Sequence, residues 1–500
     1  EEFILKRYRQ FHTTLADNDA EWVLQSYLSA FAHAYDPHSA YMSRSATEDF
    51  DIEMKLSLVG IGALLRSEDG AAKIVSLIPG GPAERDTSEK RLKPGDKIIA
   101  VGQGDGEMVD ILHWPLYKVV RLIRGEKGTT VVLDVIPASD PTGSKTKRVR
   151  LVRDEVKLEE QAAKGEVRTV PRVGAEDLKL GVISVPAFYA NMKARGFLKN
   201  EDYRRCSSDV KDHIDKLVAD GAEGLVLDLR GNGGGSLLEA IRMTGFFIPA
   251  GPIVQVRERR HLRILPDMDV SVVYDGPLVV LVNRISASAS EILAAALQDY
   301  GRAIIVGDSK THGKGTVQTI VPLSRKDKTG AIKVTCSMFY RVTGKTTQKF
   351  GVTPDIVLPS ALDTMDIGEE SLPNALESSR IQPALFRPVN DVVKFRKTLR
   401  ERSAKRADKG ERFQAYLKLI ERIRERNASE IISLQIDERR AMARSEKELD
   451  ELQQAIDPNE AVAGVETNGT NRVDLVLDET LNVLADLVEE TKSQPRPQAE

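Results

Sequence analysis

Apolar and polar positions alternate along this chain in two periods, and the changes of period divide it. From Phe3 to about Phe50 the spacing is helical, with Trp22, Val23, Tyr27, Leu28 and Phe31 on one face. The stretch Asp36-Pro37-His38-Ser39-Ala40-Tyr41 breaks that pattern as a turn, and His38 reads as a turn residue rather than a catalyst. Leu56 to about Arg153 reads as a separate unit. A Gly-containing loop, Leu58-Val59-Gly60-Ile61-Gly62, precedes an apolar strand. Next come Pro79-Gly80-Gly81-Pro82-Ala83, the turn Leu92 to Asp96, a strand Lys97 to Val101, a helix Leu116 to Arg124 and a strand Val131 to Ile136. Lys157 to Val173 is charged and reads as a link.

Beyond the link, strands and helices alternate. Leu180 to Val185 is a strand, Ala187 to Tyr203 a surface insertion and Val210 to Ala219 an amphipathic helix. Gly224 to Leu229 is a buried strand, and Gly231 to Gly235 turns it into a helix at Leu237 to Gly245. The same strand–turn–helix recurs at Leu278 to Leu297, followed by a strand at Ala303 to Val306. Lys333 to Arg341 and Gln348 to Pro354 read as closing strands. The alternation predicts an α/β core. From about Leu362 the chain reads as helical and highly charged, and Val473 to Leu487 is amphipathic. In Lys394 to Arg426 acidic residues are interspersed among the basic ones, so a solvated helix face is the expected account of the charge, with an anionic partner as the alternative. The expected organisation is 1–55, 56–153, 154–361 and 362–500.

Chemistry concentrates between Asn283 and Gln318. A buried strand, Leu278 to Val282, leads into Ser286-Ala287-Ser288-Ala289-Ser290-Glu291-Ile292, and strong helix formers continue to Asp299. A serine here stands at a helix start, where unpaired N–H groups and the helix dipole favour negative charge. A serine in that place can also be a simple cap. Downstream lies Gly313-Lys314-Gly315-Thr316-Val317-Gln318. Gly307 to Thr316 is not a phosphate loop: five residues separate Gly307 from Gly313, and Gly315 stands where Ser or Thr should hold magnesium. A Ser–His–Asp set drawing on His312 and Asp308 is a rival arrangement.

The Ser-Ala-Ser-Ala-Ser-Glu-Ile run, the later Gly-Lys-Gly-Thr-Val-Gln and the earlier Asp228-Leu229-Arg230-Gly231-Asn232-Gly233-Gly234-Gly235 resemble the C-terminal processing peptidases. Within them, the chain is most similar to the tail-specific proteases of the Gram-negative periplasm, from about Tyr27 to the last helix. The resemblance implies an α/β core of the crotonase/ClpP-like kind, with an inserted PDZ domain and helical N- and C-terminal regions. It makes Ser288 the nucleophile, Lys314 the general base and Gln318 the residue that orients the lysine. The oxyanion hole would be the N–H groups of Gly234 and Ala289. The PDZ unit, with Leu58, Val59, Gly60, Ile61 and Gly62 as its carboxylate loop, would bind apolar C-terminal tails of protein substrates. The implied location is the periplasm. An adaptor protein is a further partner to expect, and peripheral membrane association is left open. The chain departs from the family in having His312 where an aromatic residue is usual, and one more residue between Ser288 and Lys314. A catalytically inactive PDZ scaffold is the competing class.

The residues fit that chemistry. A free lysine titrates near ~10.4 and is charged at neutral pH; lowering it by ~3 pH units costs about 4 kcal/mol, which burial can supply. Glycines flank Lys314, and Val317, Ile320 and Val321 are apolar. Gln318 offers an acceptor without a countercharge.

Composition adds bounds. The chain's 500 residues are enough for several domains, and 41% hydrophobic content is enough for real cores. A net charge of −3 gives no pull toward nucleic acid. No apolar run approaches the ~18 residues of a membrane span. The chain starts Glu1-Glu2-Phe3 without Met, so it reads as a trimmed piece, and a missing leader says nothing about export. Cys206 and Cys336 make no disulfide framework, and a single bridge is open. The seven histidines hold no pair at metal spacing, so neither metal nor cofactor is expected.

Overall fold

The structure is a computed structural model that describes residues 20–140, 142–172, 174, 176–191, 204–324, 330–389, 392–428, 435–440 and 473–493, with a few single positions elsewhere. Two compact units result. One comprises Glu1–Tyr27, Ser43–Ala162 and Asn191–Tyr203, the other Leu28–Met42, Ala163–Ala190 and Arg204–Glu500. Helix α1 (Ala20–His33) and strand β1 (Ala40–Met42) come first. The apolar face expected on α1 is not buried against the described residues: Trp22, Val23, Tyr27 and Phe31 are all more than half exposed.

The first unit opens with α2 (Arg44–Lys55), whose N-cap Ser43 accepts from the Ala46 N–H. It continues as β2 (Ser57–Gly60), β3 (Ala63–Glu68), β4 (Ala71–Leu77), α3 (Pro82–Arg85), β5 (Lys97–Gln103), β6 (Met108–Asp110), α4 (Leu116–Ile123), β7 (Thr130–Ile136), β8 (Lys147–Val152) and β9 (Asp154–Lys157). One sheet runs β3-β4-β5-β7-β8 with β6 beside β5, and β2 pairs with β9. Ile74, Ile98, Val101, Val119, Leu133 and Val149 form its core. The loop expected over Leu58 to Gly62 is strand as far as Gly60, because Gly60 pairs with Asp154. Only Ile61 and Gly62 turn into β3, and Gly62 does so at φ 75° with its Cα against that of Gly81, where a side chain would not fit. β3 is the end strand of its sheet, and Leu64 on it is 55% exposed.

The second unit carries β10 (Lys164–Val170), β11 (Leu178–Ser184), α5 (Cys206–Ala219), β12 (Leu225–Asp228), α6 (Leu237–Gly245), β13 (Gly251–Glu258), β14 (His261–Asp267), β15 (Leu278–Val282), α7 (Ala289–Asp299), β16 (Ile304–Gly307), β17 (Thr316–Pro322), β18 (Ala331–Tyr340) and β19 (Ile356–Val357), then helices α8 (Arg396–Lys409), α9 (Glu411–Asn427) and α10 (Leu475–Lys492). Its main sheet runs β10-β11-β12-β15-β16-β19, parallel except for β10. Every residue of β12, β15 and β16 is buried, as strands covered on both faces require. Val226, Val279, Leu281, Ile304 and Val306 pack with Leu399 of α8 and Leu481, Leu484 and Val488 of α10 in one core. A second sheet runs β1-β18-β13-β14, with β17 on β18.

Three further expectations change, and the open question of a cysteine bridge is answered. The supposed link Lys157 to Val173 contains β10; its charges reflect an exposed edge strand, paired on one side only. Gln348 to Pro354 is not a strand, since Lys349 and Gly351 both have positive φ, 67° and 66°. Leu362 to Val389, broken by Pro373, Pro383 and Pro388, is irregular with short 3₁₀ turns rather than helical. Cys206 is buried and Cys336 exposed, and neither is bridged. Most of the insertion at Ala187 to Tyr203 lies outside the described residues.

Candidate active site

β15 delivers the chain to a turn held by Asn283, whose Oδ1 accepts from the N–H groups of Gly231, Ile285 and Ser286. The three serines of the turn then do different work. Ser286 is fully buried and its hydroxyl donates to the Leu229 carbonyl at 2.8 Å. Ser290 is fully buried and donates to the Asn232 carbonyl at 2.9 Å. Ser288 alone is partly exposed, and it starts α7 at φ 57°, ψ −111°. That backbone conformation suits glycine and costs a serine ~1–3 kcal/mol. The strain turns the Ser288 side chain out of the packed turn at the helix start, where α7 has N–H groups without intrahelical acceptors.

Glu291 ties this turn to the lysine loop. Its side chain is fully buried. Oε2 accepts from the N–H groups of Ser288 at 2.7 Å and Lys314 at 3.0 Å. Oε1 accepts from the Thr311 hydroxyl at 2.6 Å and the Gly313 N–H at 2.7 Å. The backbones of Ser288 and Lys314 are therefore neighbours on a single oxygen. Burial pushes the Glu291 carboxyl up to about 7, against the pull of those four donors. Gly315 is fixed as well, its N–H donating to Gln348 Oε1 at 2.8 Å.

Burial, aided by the charge of Lys333, lowers the Lys314 ammonium to about 8; Glu369, Glu291 and Asp36 oppose it. The hydrogen bonds of Gln318 Nε2 go to Thr316 Oγ1 at 2.9 Å and Thr335 Oγ1 at 3.1 Å. Among the described residues no hydrogen bond joins Lys314 Nζ to Ser288 Oγ or to Gln318. The rival histidine is no better placed. His312 Nδ1 is buried without a hydrogen-bond partner among the described residues. Asp308 accepts from the Arg284 N–H at 2.8 Å and from Ser360.

The glycine-rich loop reaches the same turn. A Cβ on Gly234 would fall 2.8 Å from Ser288 Cβ and 3.2 Å from the Ala289 nitrogen, so Gly234 and Ala289 lie together beside Ser288. The Gly234 N–H donates to Asn232 Oδ1 at 2.8 Å, so an oxyanion there would have to share or displace that bond. Asn232, itself fully buried, anchors the loop through Nδ2 to Val185 O and accepts the Ala287 N–H on its carbonyl. Arg230, before the glycines, pairs with Asp228 and with Asp474, the N-cap of α10. Leu58 to Gly62 stand in the first unit. Sequence reasoning missed Glu291, Thr311 and Gln348. Glu291 had a signal, an acidic residue three positions after a helix-starting serine; Thr311 and Gln348 had none.

A strained serine raised at a helix start after a buried parallel strand, with backbone N–H groups beside it, is an arrangement that serine hydrolases use. Residues 179–358 match the model of peptidase family S41, and the chain belongs to that family, among the carboxy-terminal-processing proteases. Residues 1–45 match the tail specific protease N-terminal domain and 362–489 the C-terminal domain of tail specific protease. The chain is 42% identical over 395 residues to the tail-specific protease of Haemophilus influenzae, covering 78% of this chain and 53% of that protein; it thus spans about half of that relative's length. It is 31% identical to the carboxy-terminal-processing protease of Bartonella bacilliformis, covering 72% of this chain and 74% of the relative. Among solved structures, the photosystem II D1 C-terminal processing protease aligns over 72% of this chain and 89% of its own, at 25% identity and a TM-score of 0.38. The PDZ domain of a carboxy-terminal protease from Vibrio cholerae, in complex with peptide, aligns over 21% of this chain and all of its own, at 45% identity and a TM-score of 0.19.

Proposed function

We propose that this chain is the proteolytic body of a serine endopeptidase that acts on periplasmic proteins presented by their apolar C-terminal tails. Ser288 Oγ attacks the scissile carbonyl carbon, and its proton passes to the neutral amine of Lys314. The oxyanion takes hydrogen bonds from the Ala289 N–H and from the Gly234 N–H as that group leaves Asn232. Lys314 then protonates the departing amine, an acyl-enzyme remains on Ser288, and water, deprotonated by Lys314, releases it. Gln318 accepts from Lys314 without adding charge. The observation that carries the reading is the shared Glu291 oxygen, which sets Ser288 beside a lysine whose burial favours the neutral amine.

In the first unit, the role is that of a PDZ domain. β3 is an end strand with Leu64 exposed, so a tail can add to it as a further strand. The turn at Ile61 and Gly62 precedes that strand, where a terminal carboxylate would meet backbone N–H groups. The domain limits 1–55, 56–153, 154–361 and 362–500 and the crotonase/ClpP-like core belong to the same reading. A fluorogenic peptide with an apolar C-terminus tests it: turnover by the 500-residue chain and none by Ser288→Ala or Lys314→Ala is expected. Equal turnover by the Lys314→Ala variant defeats the lysine mechanism. Binding of the tail with no turnover by the unaltered chain would leave the scaffold.

A further inference from the structure

The turn Asp36-Pro37-His38-Ser39 has no part in the mechanism above, yet hydrogen bonds run from it to both flanks of Lys314. On one side, Asp36 Oδ1 accepts from the Thr335 hydroxyl at 2.8 Å, and Thr335 Oγ1 accepts from Gln318 Nε2 at 3.1 Å. On the other, His38 Nε2 meets Glu369 Oε2 at 2.7 Å, Glu369 Oε1 accepts from Gln348 Nε2 at 2.8 Å, and Gln348 Oε1 accepts from the Gly315 N–H. Asp36, Glu369 and Gln348 are all buried.

We infer that Asp36 is a positioning residue which, through the polarity of the Thr335 hydroxyl, fixes the orientation of the Gln318 amide beside Lys314. The inference rests on the proposed roles of Lys314 as the base and of Gln318 as its acceptor. Hydrogen-bond polarity sets that orientation. An ionised carboxylate only accepts. Asp36 is ionised: burial works against it, but hydrogen bonds from Ser39, Thr335 and the His38 N–H outweigh burial and hold its carboxyl below the ordinary range. A hydroxyl has one hydrogen, and Asp36 takes that of Thr335. The Thr335 oxygen is then an acceptor and must face the NH₂ of Gln318. Thr316 Oγ1 accepts from the same nitrogen. Both amide hydrogens are used, and Oε1 is left as the end able to accept from the lysine amine. Were Asp36 able to donate, Thr335 could rotate and the amide could flip, setting two donors against each other at Lys314.

The charged groups facing Lys314 are Lys333, Glu369, Glu291 and Asp36. Asp36→Asn removes one negative charge and the constraint on an acceptor, and both changes favour the neutral amine. The expected result is a kcat about tenfold lower with KM within about twofold, and an acidic limb of kcat/KM displaced to lower pH. Thr335→Val should behave alike in kcat, while Thr335→Ser, which keeps the hydroxyl, should restore the unaltered rate. A purely structural role would lower the melting temperature and the active fraction but leave kcat per active site unchanged, the limb moving in either case with the lost charge. If Asp36→Asn does not fold, the Thr335 pair decides, and equal rates for Val and Ser overturn the inference. It is also overturned if Asp36→Asn keeps its kcat per active site. Lys314→Ala is run alongside. Where Lys314→Ala is dead and Thr335→Val turns over normally, only the positioning role falls; where Lys314→Ala turns over normally, the base assignment falls with it.

Discussion

Glu291→Gln separates what the buried carboxylate does for stability from what it does for catalysis. Four donors meet its two oxygens: Ser288 N–H and Lys314 N–H on one, Thr311 hydroxyl and Gly313 N–H on the other. A glutamine keeps one oxygen and turns an NH₂ toward the other pair. The less costly orientation faces Thr311 and Gly313, because the hydroxyl can rotate to accept while only the Gly313 N–H is orphaned. An orphaned buried N–H costs ~1–3 kcal/mol. Against this stands the carboxylate's own burial. A carboxyl moved from 4.5 to about 7 prefers its neutral form by about 3 kcal/mol, at roughly 1.36 kcal/mol per pH unit. Because the folded value is raised, this group's stabilising contribution is full below about pH 4.5 and is lost as pH rises through 7. The two terms nearly cancel at pH 8, so the variant should unfold there within about 1 kcal/mol of the unaltered chain and be less stable than it at pH 5. Turnover should not be spared. A displaced Gly313 moves the adjacent Lys314, and a shift of ~1 Å can cost ~10²-fold in rate. The acidic limb should also lose steepness: under the proposed mechanism the unaltered chain needs Glu291 ionised and Lys314 neutral, the variant only the second. Denaturant unfolding at pH 5 and pH 8, with kcat/KM across that range, measures all three. A kcat within twofold of the unaltered value, or a stability difference that does not change with pH, refutes the reasoning.

Gly234→Ala should cost activity through space as well as conformation. The new methyl would lie 2.8 Å from Ser288 Cβ and 3.0 Å from the Ala287 carbonyl, at a backbone φ of 110°. Overpacking of that kind costs ~1–3 kcal/mol, and kcat should fall ~100-fold or more; a variant with normal kcat would show that the loop has room to move. Ser288→Gly and Ser288→Ala should both be inactive, but the glycine variant should be more stable by about 1 kcal/mol because φ 57° suits it; equal denaturant midpoints would mean that the serine is not strained. Arg230 holds Asp228 and Asp474 together, so Arg230→Met with Asp474→Asn in a double-mutant cycle should show coupling of about 1 kcal/mol or more, and none would remove the ion pair as a tie between the glycine loop and α10.

How much of this was legible in the sequence depended on whether a residue's job leaves a local pattern. β12, β15 and β16 are buried on both faces, so they appear as unbroken apolar runs. α10 shows its buried side at helical spacing. β10 pairs on one side only and exposes most of its side chains, and it looked like a linker. Leu362 to Val389 looked helical because it is charged, but its prolines break it, and it supplies Glu369 and the Ile367 carbonyl from irregular backbone. Within the site, the serine run, the glycine loop and the lysine carry recognisable spacing. Which serine is exposed did not follow from spacing, since Ser286 and Ser290 differ from Ser288 only in what their hydroxyls reach across the fold. Thr311, Gln348 and Thr335 act through hydrogen bonds to residues between 17 and 33 positions away, or to Asp36 at 299, and no periodicity announces such partners.

The carboxylates around Lys314 show why its amine can be neutral in acidic company. Three of them, Glu291, Glu369 and Asp36, face it, and an ion pair with any would hold the amine charged. Each is instead occupied elsewhere. Glu291 takes four donors, of which three are backbone N–H groups. Glu369 meets His38 and Gln348. Asp36 takes Thr335, Ser39 and the His38 N–H. Their charge is spent on fixing the two loops and the turn, and what reaches Lys314 is a pull weaker than burial and the repulsion of Lys333 together. The same acidic residues that would keep Lys314 charged by direct contact therefore leave it free to act as the proposed base, by fixing the loops and the turn around it.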